Sequence, residues 1–322
     1  MVLSLLVAAY NSEEYVLECL NPIIKQMVNL SFDDCELIVI DDGSTDNTHN
    51  IIKNIDLSGC NVKIFTRNNK GVSLTRKELI KKSSGDYLCF VDSDDIISDS
   101  YLSDIIKIIN TKKFDVLEFG LKRFDDINEV NIFEQHKFKL LTNHEQNLHS
   151  AFLRCEWHMC SRVFSKRVLL HHMFDGLVYF EDAAIIPYIY LKANKIIRLD
   201  SNIYYYRNNL SGITKNYTMR HVKSWDIVIA KAISYHGKEY KQLSESKKLK
   251  FDKYAYSLNK VYTKTIARSD CFYSVVPKYV AVSGVKLYLN GQLSYKDFIY
   301  IFSPKIYSMI LRLKYAFKKA FN

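Results

Sequence analysis

No two cysteines in the 322-residue sequence stand in a CxxC spacing, and their number, seven, is odd. Cys19, Cys35, Cys60, Cys89, Cys155, Cys160 and Cys271 are scattered along the chain. That pattern argues against a cysteine-ligated zinc site and against a disulfide framework, and the expected location is a reducing one, the cytoplasm. Long hydrophobic runs are missing too: none approaches the roughly 18–20 residues needed to span a bilayer. The opening MVLSLLVAAYN is apolar but lacks a basic start and a small-residue cleavage site, so it reads as a strand and not as a secretory signal. Neither GxGxxG nor the GxxxxGK phosphate loop occurs at a strand–helix turn, which withdraws support from a dinucleotide fold and from a P-loop. Internal repeats and low-complexity linkers are absent.

What remains is a globular composition, 48% hydrophobic and 25% charged, with a net charge of +10. The charge is unevenly spread. Residues 215–322 hold 21 Lys+Arg against 6 Asp+Glu, a balance of +15, so residues 1–214 carry −5. An acidic front and a basic tail imply two roles, with the tail facing an anionic partner, either nucleic acid or a membrane surface.

The first hundred residues alternate between compact apolar runs and segments of helical spacing. VLSLLVAAY, CELIVIDDGS, NVKIFTR and YLCFVDSDD read as strands, separated by helices over SEEYVLECLNPIIKQM, TDNTHNIIKNI and GVSLTRKELIKK. Such alternation predicts an α/β fold with a mostly parallel sheet buried on both faces. In that arrangement ligands bind beyond the carboxyl ends of the strands. Three polar clusters, AAYN, DDGSTD and DSDD, fall at that edge. Residues 104–150 are less regular. A helix is expected to begin near Asp182, kinked or delayed by Pro187, and NKIIRLDSNIYYYR reads as a pair of strands. From about Tyr217 onward the chain has a helical, Lys- and Tyr-rich character.

Asp92, Asp94 and Asp95 end an apparently buried strand, although clustered carboxylates repel and resist burial. A solvent-facing strand end with an Asp capping the next helix is one explanation. The other is a hard divalent cation, Mg²⁺ or Mn²⁺, which one or two carboxylates hold together with substrate phosphates. The paired acids of DDGSTD suit hydrogen bonds to a nucleobase or a ribose, although Asp-Gly-Ser is also common turn chemistry.

SLLVAAYNSEEYVLECLNPIIKQ, CELIVIDDGSTDNT, NKGVSLTRKELIKKSSGDYLCFVDSDD, YFEDAAI and YYYRNNLSGIT together resemble the family 2 glycosyltransferases with the GT-A fold. The resemblance covers roughly residues 1–214, with a nucleotide-sugar part over about 1–103 and an acceptor part over about 104–214. It implies inverting transfer of a sugar from a nucleotide diphosphate donor, with UDP the commoner carrier, to a hydroxyl of a glycan or a lipid-diphosphate-linked acceptor. By the same resemblance Ala8, Tyr10 and Asp42 would hold the nucleobase, Tyr10 by stacking and Asp42 by hydrogen bonding, with Asp41 supporting their loop. Asp92 would contact the nucleotide, and Asp94 or Asp95 the metal, Asp94 being preferred. Asp182 matches the catalytic base, with Glu181 as the alternative; capping the helix it precedes is the competing structural role. Arg76 matches the Arg of an Ala-Arg-Asn segment that here reads Thr75-Arg76-Lys77, so any contact of the lost Asn is in question. Arg162 stands where relatives carry Lys, Arg207 matches a diphosphate-neutralising Arg, and Trp157 is a candidate acceptor platform.

In the tail, Ile306, Met309, Ile310, Leu313, Phe317 and Phe321 form one helical stripe flanked by Lys305, Arg312, Lys314, Lys318 and Lys319. Such a helix can lie in a membrane interface or pack on its own domain. The expected place is therefore the cytoplasmic face of a membrane, with no nucleic-acid partner. Rival readings are a haloacid-dehalogenase-type phosphatase, for which Ile96 is only a partial match, and a nucleotidyltransferase, whose Gly-rich N-terminal loop is missing. A basic nucleic-acid binder would leave the acidic edge without a role.

Overall fold

The computed structural model describes residues 2–31, 34–133, 137–209, 212 and 217–268. Two compact units are interleaved along the chain. The first comprises Met1–Leu148, Trp157–Val178 and Tyr188–Leu210; the second gathers His149–Glu156 and Tyr179–Pro187 with the described residues beyond Ser211.

The first unit is built on a nine-stranded sheet. β1 (Leu3–Ala9) lies at its parallel heart, between β2 (Cys35–Asp41) and β4 (Tyr87–Asp92), and β3 (Val62–Thr66) adds outside β2, also parallel. All seven residues of β2 are buried, as expected of an apolar strand covered on both faces. Beyond β4 the order continues β8 (Arg162–Ser165), β6 (Val116–Phe124), β9 (Ile196–Arg207) and β5 (Ile96–Ile97). β8 is antiparallel to both β4 and β6, and β9 is parallel to β6. The carboxyl ends of β1, β2, β4, β6 and β9 therefore share one edge. A short β7 (Leu140–Leu141) pairs with β9.

Helices α1 (Val16–Met27), α2 (Thr48–Asn54), α3 (Val72–Lys82) and α4 (Tyr101–Thr111) connect the strands. In α1 the buried residues Val16, Cys19, Leu20, Ile23 and Met27 recur at helical spacing and join the sheet core. Each fully buried Leu or Ile contributes about 1.5–3 kcal/mol over exposure. The opposite edge of the sheet is tied by Glu36, which accepts from Ser4 Oγ at 2.6 Å, Ser84 N at 2.6 Å and Lys63 Nζ at 2.7 Å. Gly85 permits that closure, since a Cβ there would lie 2.7 Å from the Ser4 backbone nitrogen.

One expectation is corrected. NKIIRLDSNIYYYR is a single strand, β9, and not a pair. Its register against β6 shifts at Gly120, where Phe119 pairs with Leu199 but Gly120 with Asn202. Asp200 and Ser201 are accommodated as an irregularity of one strand, and the polar Asp-Ser-Asn that resembles a turn marks that irregularity.

The second unit contains α7 (Met219–Lys238) and α8 (Glu245–Arg268), with the start of α6 (Glu181–Lys192) and most of α5 (His144–Arg154). α7 and α8 join through Tyr262 Oη to Asp226 at 2.8 Å and a Tyr235–Phe251 stack at 5.2 Å. No helix among the described residues is long and apolar enough to cross a membrane. The amphipathic stripe at 306–321 lies outside the described residues.

Candidate active site

Four loops meet at the shared strand edge of the first unit. The first follows β1, where Tyr10 is 48% exposed, an aromatic ring held open to solvent beside half-buried Ala8. Asn11 adopts φ +47, and its side chain accepts from Thr45 N at 2.8 Å. Ser12 N donates to Thr48 Oγ1 at 2.8 Å, and Asn47 N donates to Glu13 at 2.7 Å. The AAYN and DDGSTD turns are thus clamped to each other.

The second loop follows β2. Asp41 is buried and accepts from Ser44 N at 3.0 Å and Ser44 Oγ at 2.6 Å, and its other oxygen lies 3.2 Å from His49 Nδ1. Asp42, also buried, pairs with Arg67 Nε at 2.7 Å and accepts from Gly71 N at 2.8 Å. Arg67 further reaches Glu78 at 2.7 Å and Thr75 Oγ1 at 2.7 Å. Asp42 is therefore the organiser of the 67–71 segment. Gly43, at φ +74, lets that segment close in: a Cβ there would lie 2.7 Å from Asn69 N and 2.8 Å from Arg67 O.

The third loop is DSDD after β4. Arg76 from α3, buried, donates to Asp92 at 2.5 Å, so these two predicted residues meet. Asp95 is 1% exposed, and both its oxygens are engaged, by Tyr204 Oη at 2.7 Å and by Arg207 N at 2.8 Å. Asp94 is half-buried and accepts from Asn209 Nδ2 at 3.0 Å. Burial and the neighbouring carboxylates raise Asp94 above the usual carboxylate range, and they raise Asp95 well above it. Ligand atoms of Asp92, Asp95 and Cys160 all lie within 4.8 Å of one another. The two carboxylates of this set suit a hard divalent cation, and half-buried Asp94 belongs to the same DSDD loop.

The fourth segment is the end of β9. Tyr204 Oη accepts from Asp92 N at 3.1 Å while donating to Asp95, bridging both ends of DSDD. Arg207 Nε donates to the Asp94 carbonyl at 2.7 Å and Nη2 to Glu18 at 2.5 Å, with its guanidinium over the Tyr15 and Phe124 rings.

Two predicted residues are buried in side-chain packing. Arg162 is 2% exposed, bonded to Tyr190 Oη at 2.9 Å and lying 3.6 Å from Glu118, while Tyr190 Oη also donates to Glu118 at 2.7 Å. Its charge is compensated by Glu118. Trp157 is 6% exposed, edge-on to Tyr190 at 5.8 Å, and is packed instead of forming an open acceptor platform. Next to it, burial and the Arg162 and Arg123 charges lower His158 to about 4, so its ring is neutral at pH 7.

In the second unit, α6 begins at Glu181 with Pro187 inside it. Glu181 is 4% exposed; Asp182 is half-buried, and its Oδ1 accepts from Ala183 N at 2.7 Å. Sequence reasoning missed Arg67, Glu18, Tyr204 and Asn209. The last two sit in the recognised YYYRNN run, so the motif was visible and its bracing chemistry was not.

Comparison with known proteins bears on the family and the fold. Residues 4–169 match the family model described as Glycosyl transferase family 2. Glycosyltransferase GlyG of Streptococcus pneumoniae serotype 4 is 26% identical over 225 residues, 66% of this chain and 73% of GlyG. The poly(ribitol-phosphate) beta-N-acetylglucosaminyltransferase TarS of Staphylococcus aureus is 30% identical over 221 residues, 66% of this chain but only 36% of TarS. The crystal structure of TarS 1–349 in complex with UDP-GlcNAc has TM-score 0.61 at 19% identity, covering 98% of this chain and 92% of that one. Mannosyltransferase PcManGT from Pyrobaculum calidifontis, solved with GDP-Man and Mn²⁺, gives TM-score 0.55 at 13% identity, covering 95% and 80%. These likenesses bear out the GT-A fold. With more than half its length matched by the family model, the chain belongs to glycosyl transferase family 2 and is a glycosyltransferase.

Proposed function

We propose that the protein transfers a sugar from a nucleotide diphosphate donor, a UDP-sugar by preference, to a hydroxyl of a glycan or lipid-linked acceptor in surface-polysaccharide synthesis, with inversion at the anomeric carbon. The observation that carries this reading is the braced acid cluster at the strand edge. Three carboxylates are gathered there, two with raised proton affinity, in a family 2 chain whose structural neighbours were solved with nucleotide sugars.

Tyr10 supplies a ring for the base, and Asp41 and Asp42 hold the loops around it. Mn²⁺ or Mg²⁺ would sit on Asp94 together with the donor diphosphate, and Asp92 toward the nucleotide. A bound cation supplies Lewis-acid stabilisation of charge on the leaving diphosphate. Asp95 is the brace, because its oxygens are spent on Tyr204 and Arg207. Arg207 fixes the loop and adds a positive charge beside it. Asp182 takes the proton from the acceptor hydroxyl as its oxygen attacks the anomeric carbon and the bond to the β-phosphate breaks. Glu181, being buried, is the weaker choice. The basic region 215–322 suits an anionic membrane surface on the cytoplasmic side, where a lipid-linked acceptor would lie. Co-sedimentation with vesicles containing anionic lipid, falling as salt rises, is the expected behaviour; no co-sedimentation at low salt contradicts it.

The test of the reaction is a panel of nucleotide sugars scored for nucleoside diphosphate release, with Mn²⁺ and with chelator. Asp182→Asn is expected to lower turnover by about 10²–10⁴-fold, the usual share of general-base help. Full activity in that variant removes Asp182 from the role.

A further inference from the structure

We propose that the α7–α8 helical pair is a positioning device for the Asp182 carboxylate, with Tyr254 as its decisive contact. This rests on the reading of Asp182 as the base. Pro187 stands four residues after Ala183, within one helix. In a regular α-helix the Ala183 carbonyl would accept from the N–H at 187, and proline has none. Tyr254, fully buried on α8, donates its hydroxyl to that same carbonyl at 2.6 Å. A side chain from the tail region thus replaces the backbone bond that Pro187 removes.

Just ahead, Phe180 adopts φ +62, a left-handed conformation that bulky residues rarely accept. Its ring is stacked on Trp225 of α7, centroids 4.3 Å apart and planes at 17°. His221, one turn earlier on α7, lies 4.9 Å from the Tyr179 ring and 6.0 Å from that of Phe180. The His221 ring is itself fixed, its Nδ1 accepting from Thr218 N at 3.0 Å in a reciprocal cap. Asp182 is therefore held from both sides. Tyr179 and Phe180 are pinned by α7, and Ala183 by α8. Ala183 is the shared joint: its N–H binds the Asp182 carboxylate, and its carbonyl is bound by Tyr254.

Tyr254→Phe deletes the hydroxyl and keeps the ring. With UDP-N-acetylglucosamine and Mn²⁺ as the probe, this change should lower kcat for UDP release by about 10-fold or more, the scale on which small misplacements act, with the donor KM within about twofold of wild type. Amide exchange over 181–190 should quicken in the same variant, a readout independent of turnover. Pro187→Ala restores an N–H donor to the Ala183 carbonyl, so Tyr254→Phe/Pro187→Ala should recover both kcat and slow exchange. Wild-type kcat and exchange in Tyr254→Phe overturn the proposal, as does a double variant no better than the single one. If Tyr254→Phe does not fold, Trp225→Leu, which removes the ring stacked on Phe180, replaces it: exchange over 181–190 must quicken and Trp225→Phe must slow it again, and unchanged exchange in Trp225→Leu counts against the device. Asp182→Asn separates the two layers. If it is inactive while Tyr254→Phe is normal, only the positioning role fails; if it is fully active, the base reading fails and takes this proposal with it.

Discussion

Glu36 shows how a single charge can be legible as a residue and illegible as a structural element. In CELIVID it is a charged residue near the start of an apolar run. It is fully buried, bonded by Ser4 and Ser84 and paired with Lys63. Burial pushes its proton affinity up, but the Lys63, Ser4 and Ser84 contacts outweigh burial and bring its pKa down to about 2. The unfolded chain, with an ordinary glutamate pKa of about 4.3, binds more protons than the native state below that value. The contribution of Glu36 to stability is therefore complete above about pH 4.3 and lost as pH falls toward 2. Glu36→Gln is expected to cost about 1.5–3 kcal/mol at neutral pH, the scale of hydrogen bonds to a charged group. It should also flatten acid unfolding between pH 4.3 and 2, as measured by urea titrations across that range. A variant as stable as wild type at pH 7 speaks against the tie.

At the scale of elements, the parallel half of the sheet was readable because doubly covered strands must be short apolar runs, and LSLLVAA, CELIVID and YLCFVD are that. β9 misled, since Asp200-Ser201-Asn202 has turn composition, and only the pairing with β6 shows an irregularity opposite Gly120. The partners of Arg162 were hidden for a related reason. Its motif is local, but its partners Glu118 and Tyr190 come from a different strand and a helix, and sequence spacing does not reveal compensation in a core. The bracing of DSDD was hidden in the same way, because Tyr204 and Asn209 act from the far end of β9. Tyr204→Phe removes the hydroxyl that joins Asp92 N to Asp95. We expect a loss of about 1.5–3 kcal/mol in urea unfolding, with Mn²⁺-stimulated turnover reduced further than turnover in chelator. Unchanged unfolding and unchanged metal response would show that the strand does not brace the loop.

For the whole molecule, the sequence placed one boundary near residue 214, with a nucleotide part, an acceptor part and a basic tail. The contact pattern is interleaved: the segment carrying Glu181 and Asp182 groups with the tail helices, while the acids of DSDD belong to the sheet unit. The tail helices therefore have structural work in addition to the +15 charge of residues 215–322. Three carboxylates at the end of a buried strand would be reconciled by the proposed cation and diphosphate. The most direct measurement is calorimetric titration of UDP into the full chain with and without Mn²⁺, for wild type, Asp94→Asn and Leu153→Ala as an exposed control. Mn²⁺ is expected to tighten UDP binding by at least about tenfold, roughly one charge-assisted contact, in wild type and the control, and Asp94→Asn to abolish the enhancement. Equal enhancement in Asp94→Asn, or UDP affinity indifferent to Mn²⁺ in wild type, would contradict the proposed cation site.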